Sequence, residues 1–168
     1  TSGATESINL AIKGCIEAST EKGNHIITVT TEHKAVLSTC EYLETKGTEV
    51  TYLNVDKNGL IYLDQLREAV KENTTLVVIM HVNNETGVIQ PIKKIGEFCR
   101  DRDIPFFCDA TQAVGKVNVD VEEDCIDILC FSGHKLNGPK GIGVLYKRSN
   151  IELTPLIHGG GQENELRG

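Results

Sequence analysis

A chain of 168 residues fits one domain with a sizeable core, and 39% apolar with 24% charged residues is the balance of an ordinary soluble globular fold. No apolar run approaches the ~20 residues of a membrane span, and the sequence as given, from Thr1-Ser2-Gly3 on, does not open on a secretory signal. Seventeen basic against 24 acidic residues give a net charge of −7 with no Lys/Arg cluster, which argues against a nucleic-acid partner.

In chain order, Ile8 to Ala18 has helical spacing behind the start signal Ser2-Gly3-Ala4-Thr5-Glu6. His25 to Thr30 reads as a strand, Lys34 to Lys46 as a helix stopping at Gly47, and Glu49 to Val55 as a strand closed by the turn Asp56-Lys57-Asn58-Gly59. Leu63 to Lys71 is a predicted helix and Thr75 to Val82 a continuous apolar strand. Ile92 to Arg102 is helical again, followed by strands Ile104 to Cys108, Ile128 to Phe131 and Gly143 to Tyr146. Between the last two lies the glycine-rich loop Ser132-Gly-His-Lys-Leu-Asn-Gly-Pro-Lys-Gly-Ile-Gly143. Strands apolar throughout and separated by helices imply an α/β three-layer sandwich, its central sheet mostly parallel and covered on both faces.

In such sheets the ligand sits outside the carboxyl ends of the strands. The residues that follow those ends are Thr31-Glu32-His33, Asn83-Asn84-Glu85, Asp109-Ala110-Thr111-Gln112 and Ser132-Gly133-His134-Lys135; every run carries polar or ionisable groups, expected to converge on one rim. Each has a plain reading: Asp109 as a cap for the next segment, His33 as a structural residue, Asn84 as a turn residue beside Asn83. The segment Ser2 to Ser7 is either a simple N-cap or an anion cradle, with glycine admitting the ligand and first-turn amides donating. Gly138 to Gly143 lacks the endings of nucleotide loops. The five histidines and six cysteines show no metal-ligand spacing, so no metal is expected, and the cysteines read as small buried hydrophobes in a reducing cytosol. Taken together, a phosphate-holding helix start, a strand-end Asp, a strand-start His and a lysine behind a histidine fit one cofactor, pyridoxal phosphate: lysine to condense with its aldehyde, Asp to pair with its ring nitrogen.

Thr1-Ser-Gly-Ala-Thr-Glu-Ser7, Thr31-Glu-His-Lys34, His81-Val-Asn-Asn-Glu85, Asp109-Ala-Thr-Gln112, Ser132-Gly-His-Lys135 and His158-Gly-Gly-Gly-Gln162 stand in the order found in the cysteine desulfurases. Over essentially its whole length the chain resembles the NifS/IscS-like branch of these class V, fold-type I pyridoxal phosphate enzymes. The resemblance implies that Lys135 is the lysine that carries the cofactor and that His33 stacks on its ring and moves protons. Asp109 would pair with the pyridine nitrogen, and Gln112 would donate to the phenolic oxygen. Ala4, Thr5, Ser132 and His134 would form the phosphate cup, with Asn84 near the phenolic oxygen and the substrate carboxylate. It further implies a homodimer that takes L-cysteine to L-alanine and passes sulfur as a persulfide to an acceptor such as an iron–sulfur scaffold, in the cytoplasm or an organelle. Family members are longer. Residues 1–168 are expected to be the central part of the cofactor-binding large domain. The small domain and the catalytic-cysteine loop are expected downstream, and none of the six cysteines aligns with that cysteine. A related class V aminotransferase, lyase or epimerase, or an inactive fragment acting as an assembly partner, is the alternative.

Overall fold

The chain is described by a computed structural model covering residues 1–19, 21 and 23–168. Six strands form one sheet: β1 (His25–Val29), β2 (Glu49–Leu53), β3 (Thr74–Val78), β4 (Phe106–Asp109), β5 (Ile128–Ser132) and β6 (Gly143–Lys147). Their spatial order is β2-β1-β3-β4-β5-β6, every pairing being parallel except β5 with β6. Alternate strand residues face opposite sides, and both sides are apolar. Ile26, Leu76, Val78, Phe107, Ile128 and Cys130 pack under α1 (Ala4–Ala18) and α2 (Lys34–Glu44). Ile27, Val77, Ile79, Phe106, Cys108 and Leu129 pack under α3 (Leu63–Ala69) and α4 (Ile92–Arg100). The sheet is thus covered on both faces, as the patterning predicts. On α1 the buried residues Ile8, Ala11, Ile12, Cys15 and Ile16 recur at the three-and-four spacing that forms a single stripe.

Several boundaries differ from the sequence expectation, each for a packing reason. α1 begins at Ala4, well before its apolar stripe. Thr1 and Gly143 exchange both backbone hydrogen bonds (3.1 and 2.8 Å), which holds the chain extended up to Gly3. β3 stops at Val78 because its neighbour β1 has ended at Val29 and turned into α2; beyond it the chain stays extended beside β4, Ile79 and His81 donating to Phe107 and Asp109. α3 stops at Ala69 because Val70 takes an extended backbone and packs against the α3/α4 core. The expected loop holding Lys135 is instead one turn of 3₁₀ helix, Gly133–Leu136, ended by Asn137 in the left-handed region at φ 59°. The turn at residues 56–59 is as expected: Asp56 Oδ1 accepts the amides of Asn58 and Leu60, both at 2.8 Å.

Candidate active site

Chain order reverses between β1 and β3, which lie side by side although β2 intervenes in sequence. Such a switch point leaves a crevice beyond the carboxyl ends of the strands. A cavity of about 470 Å³ opens there, and the nine residues singled out from the sequence all line it: Ala4, Thr5, His33, Asn84, Asp109, Gln112, Ser132, His134 and Lys135.

Strand parity aims several of them. Asp109 shares the face of Phe107, and Ser132 that of Ile128 and Cys130, so both point toward α1, where the cavity lies. Lys135 is three residues past Ser132 on the 3₁₀ turn, and in that helix positions three apart eclipse. Its amine has no hydrogen-bond or ion-pair partner among the described residues and faces the cavity that Lys135 lines. Ser132 Oγ and His134 Nδ1 lie 2.8 Å apart.

Asp109 is only 4% exposed. Its Oδ1 accepts the Thr111 amide at 2.9 Å and the Cys130 thiol at 3.7 Å, while Oδ2 has no partner among the described residues. The first bond folds residues 109–111 into a tight turn that presents Gln112. Gln112 Oε1 accepts from Lys116 Nζ at 2.6 Å, which leaves its NH₂ group as a free donor. His33 caps α2, its Nδ1 accepting the Ala35 amide at 3.1 Å. That bond places the proton of the neutral ring on Nε2. His33 therefore caps a helix and lines the cavity with one side chain.

At α1 the first helical bond is Ser7 N–H to Gly3 O, so the amides of Ala4, Thr5 and Glu6 precede the ladder and remain donors. Among the described residues no side chain caps this N-terminus. Glu6 would set a negative charge there, but it is engaged by Arg167 Nε at 2.7 Å and by the Ser2 amide at 2.8 Å. Burial alone would raise its carboxyl; the bonds from Arg167 and Ser2 outweigh it and hold the group at about 2. With Glu6 matched by Arg167, the rim carries Lys135 and Lys140 beside a helix N-terminus, a cradle for an anion.

Sequence reasoning missed Met80 and Val82, which line the cavity along with Thr111 of the expected rim run. Met80 and Val82 look like core from their apolarity. Thr111 stands in a quoted motif, and its buried Oγ1 has no partner among the described residues. All six cysteines are buried free thiols, and none lines the cavity. Among the described residues no cluster of three or more His, Cys, Asp or Glu side chains is placed to hold a metal ion, and no helix is long and apolar enough to cross a membrane.

The aminotransferase class-V family model matches residues 1–167. "Cysteine desulfurase IscS" of Ehrlichia chaffeensis is 56% identical over 170 residues, covering 99% of this chain and 42% of that protein. The protein of the same name from Haemophilus ducreyi is 57% identical over 169 residues, with the same coverage. Among solved structures, "SspA in complex with cysteine" superposes with a TM-score of 0.96 at 54% identity, covering all of this chain and 49% of that one. A "NIFS-LIKE PROTEIN" gives 0.96 at 44% identity, covering all of this chain and 47% of its own. The chain therefore spans less than half the length of the relatives it matches.

Proposed function

The chain belongs to the aminotransferase class-V family, and from that premise we propose that it is part of the cofactor-binding domain of a pyridoxal phosphate-dependent cysteine desulfurase. The observation that carries the reading is the convergence on one cavity of a free Lys135 amine, an Asp109 carboxylate with one unengaged oxygen, and a helix start with unengaged amides. The unpartnered Thr111 hydroxyl in the same wall is a further group that a polar ligand would satisfy. These donors and acceptors suit pyridoxal phosphate. Asp109 would face the pyridine nitrogen, and the Gln112 NH₂ group would donate to the phenolic oxygen. Ser132, His134, Thr5 and the amides from Ala4 onward would hold the phosphate.

When bound, the cofactor supplies an aldehyde for covalent attachment of amines and a ring that stores an electron pair. The chain's own residues do the rest. Lys135 would hold the cofactor through its amine and, with His33, would move protons at the substrate. Asp109 would pair with the ring nitrogen. Asn84 orients the substrate carboxylate. The net reaction is L-cysteine plus a thiol giving L-alanine plus a persulfide. The attacking thiolate comes from a cysteine other than the six in this chain. Burial pushes Cys15, Cys40 and Cys99 up to about 12, and Cys108 and Cys130 well above the usual range, so these thiols stay protonated and out of reach. The working unit is a homodimer in a reducing compartment such as the cytoplasm, delivering sulfur to an acceptor such as an iron–sulfur scaffold.

The test uses the complete protein of which this sequence forms part, loaded with pyridoxal phosphate and given L-cysteine and an acceptor thiol. Alanine and persulfide should appear in equal amounts, and borohydride should fix the cofactor to Lys135. Lys135→Ala should retain bound cofactor without a reducible link and should lose turnover by at least about 1000-fold. Transamination or racemisation without persulfide would replace the desulfurase reading with another class V chemistry.

A further inference from the structure

His33 reaches the cavity from the turn Thr31-Glu32-His33 between β1 and α2. The opposite wall is the segment after β3, carrying Met80 and Asn84. Among the described residues no backbone hydrogen bond joins residues 30–33 to residues 79–84. Two side chains join them instead. Glu32 turns inward, 6% exposed, and its Oε1 accepts the Met80 amide at 2.6 Å. Asn83 Nδ2 donates to the Thr31 carbonyl at 2.9 Å. The same Asn83 fixes the turn that presents Asn84, its Oδ1 accepting the amides of Glu85 and Thr86, both at 2.9 Å.

Glu32 does this without adding charge. A buried carboxyl with no cation beside it is costly as an anion. Burial pushes Glu32 well above the usual carboxylate range; the Met80 amide works against that rise, and the negative charge of Asp109 adds to it. Its Oε2 has no partner among the described residues.

We propose that Glu32 and Asn83 are positioning residues for His33, locking the β1–α2 turn to the segment after β3 so that the imidazole keeps its place in the cavity wall. The proposal rests on the reading above, in which His33 acts on the bound cofactor. Neither residue lines the cavity, so each acts through the two segments it joins, and the share carried by His33 is read by non-additivity.

The experiment takes the complete holoenzyme with Glu32→Ala, Glu32→Gln, Asn83→Ala and His33→Ala, plus the double variants with His33→Ala. Glu32→Ala and Asn83→Ala should change the induced circular dichroism of bound pyridoxal phosphate in the same sense as His33→Ala, with cofactor Kd altered less than about threefold. Their kcat should fall about tenfold while KM for L-cysteine moves less than about threefold. In the His33→Ala background each should cost less than a further twofold or so. Glu32→Gln keeps an acceptor for the Met80 amide and should stay within about twofold of the parent. Additive losses, an unchanged dichroism in Glu32→Ala and Asn83→Ala, or a Glu32→Gln variant as impaired as Glu32→Ala would overturn the proposal. If Glu32→Ala fails to fold, Asn83→Ala and Glu32→Gln decide the matter alone. Absence of cysteine turnover in the parent would count against the functional reading and leave the dichroism comparison intact.

Discussion

At the floor of the cavity, Asp109 spends one carboxylate oxygen on structure and keeps the other unengaged. Oδ1 takes the Thr111 amide and the Cys130 thiol, while Oδ2 has no partner among the described residues. Asp109→Asn preserves the shape and can preserve the Thr111 bond, but a neutral amide cannot hold a protonated pyridine nitrogen opposite it. We expect cofactor affinity to fall less than tenfold, since the phosphate cradle is untouched, and turnover to fall about 100-fold or more. Titration with pyridoxal phosphate and a steady-state assay separate the two effects, and turnover within a few-fold of the parent would remove Asp109 from the mechanism. Asp109 was legible in the sequence because a carboxylate closing an apolar strand needs a reason. Glu32, next to a residue singled out from the same motif, was not. Its partner is the amide of Met80, 48 positions away, and no local pattern encodes a side-chain bond across that span.

Elements were readable where period and length cooperate, and their ends were decided by partners. The stripe of α1 is plain from Ile8 onward, yet the part of the helix that matters chemically, Ala4 to Glu6, is shaped by β6. Gly143 shows how closely. A Cβ on this residue would sit 2.5–2.6 Å from the backbone N, Cα and C of Gly3. The start of β6 and the N-cap of α1 therefore pass in backbone contact, which Gly143 permits. Gly143→Ala should push Gly3 aside and turn the first-turn amides out of the cradle. The expected cost is about 1–3 kcal/mol of stability by urea denaturation and at least about a tenfold rise in the Kd for pyridoxal phosphate. Unchanged affinity in a folded Gly143→Ala protein would show that the α1 amides do not hold the phosphate. Neither the β6 contact nor the antiparallel sense of β6 was legible beforehand, because a five-residue strand carries no sign of its partner's direction. The 3₁₀ turn under Lys135 is four residues long, too short for any periodicity to mark.

Over the whole molecule the sheet has two unlike ends, and the α/β class, the covered sheet and the chemical rim followed from strands apolar throughout. The end opposite the cavity was silent in the sequence, and it contains His25. This residue is fully buried, its ring nitrogens 2.8 Å from Thr74 Oγ1 and 2.9 Å from Thr51 Oγ1, so it links β1 to both of its neighbours. The hydroxyls suit a neutral ring with one donor and one acceptor nitrogen. Burial lowers the His25 pKa, nearby Lys71 lowers it further, and Glu49 opposes them. The unfolded chain's imidazole takes up its proton near pH 6.5, whereas the folded one resists until lower pH. In the window below about 6.5 the unfolded state thus binds more protons, and stability falls as pH falls. Other groups titrate on either side. The lowered carboxyls Glu6, Glu49, Asp56 and Asp120 lose their contribution only at more acid pH, and the raised Glu32 and Asp127 run in the opposite sense. Subtraction isolates the histidine and the groups coupled to it. His25→Gln keeps a donor and an acceptor for the two threonines and cannot titrate, so groups that do not feel His25 cancel in the difference, while Glu49 and Lys71 change with it. Urea midpoints of parent and His25→Gln, taken from pH 7.5 to 5, should converge or cross as the parent loses stability the variant keeps. Parallel curves over that range would mean that the folded chain protonates His25 as readily as the unfolded one, and that its bonds to Thr51 and Thr74 survive a charged ring.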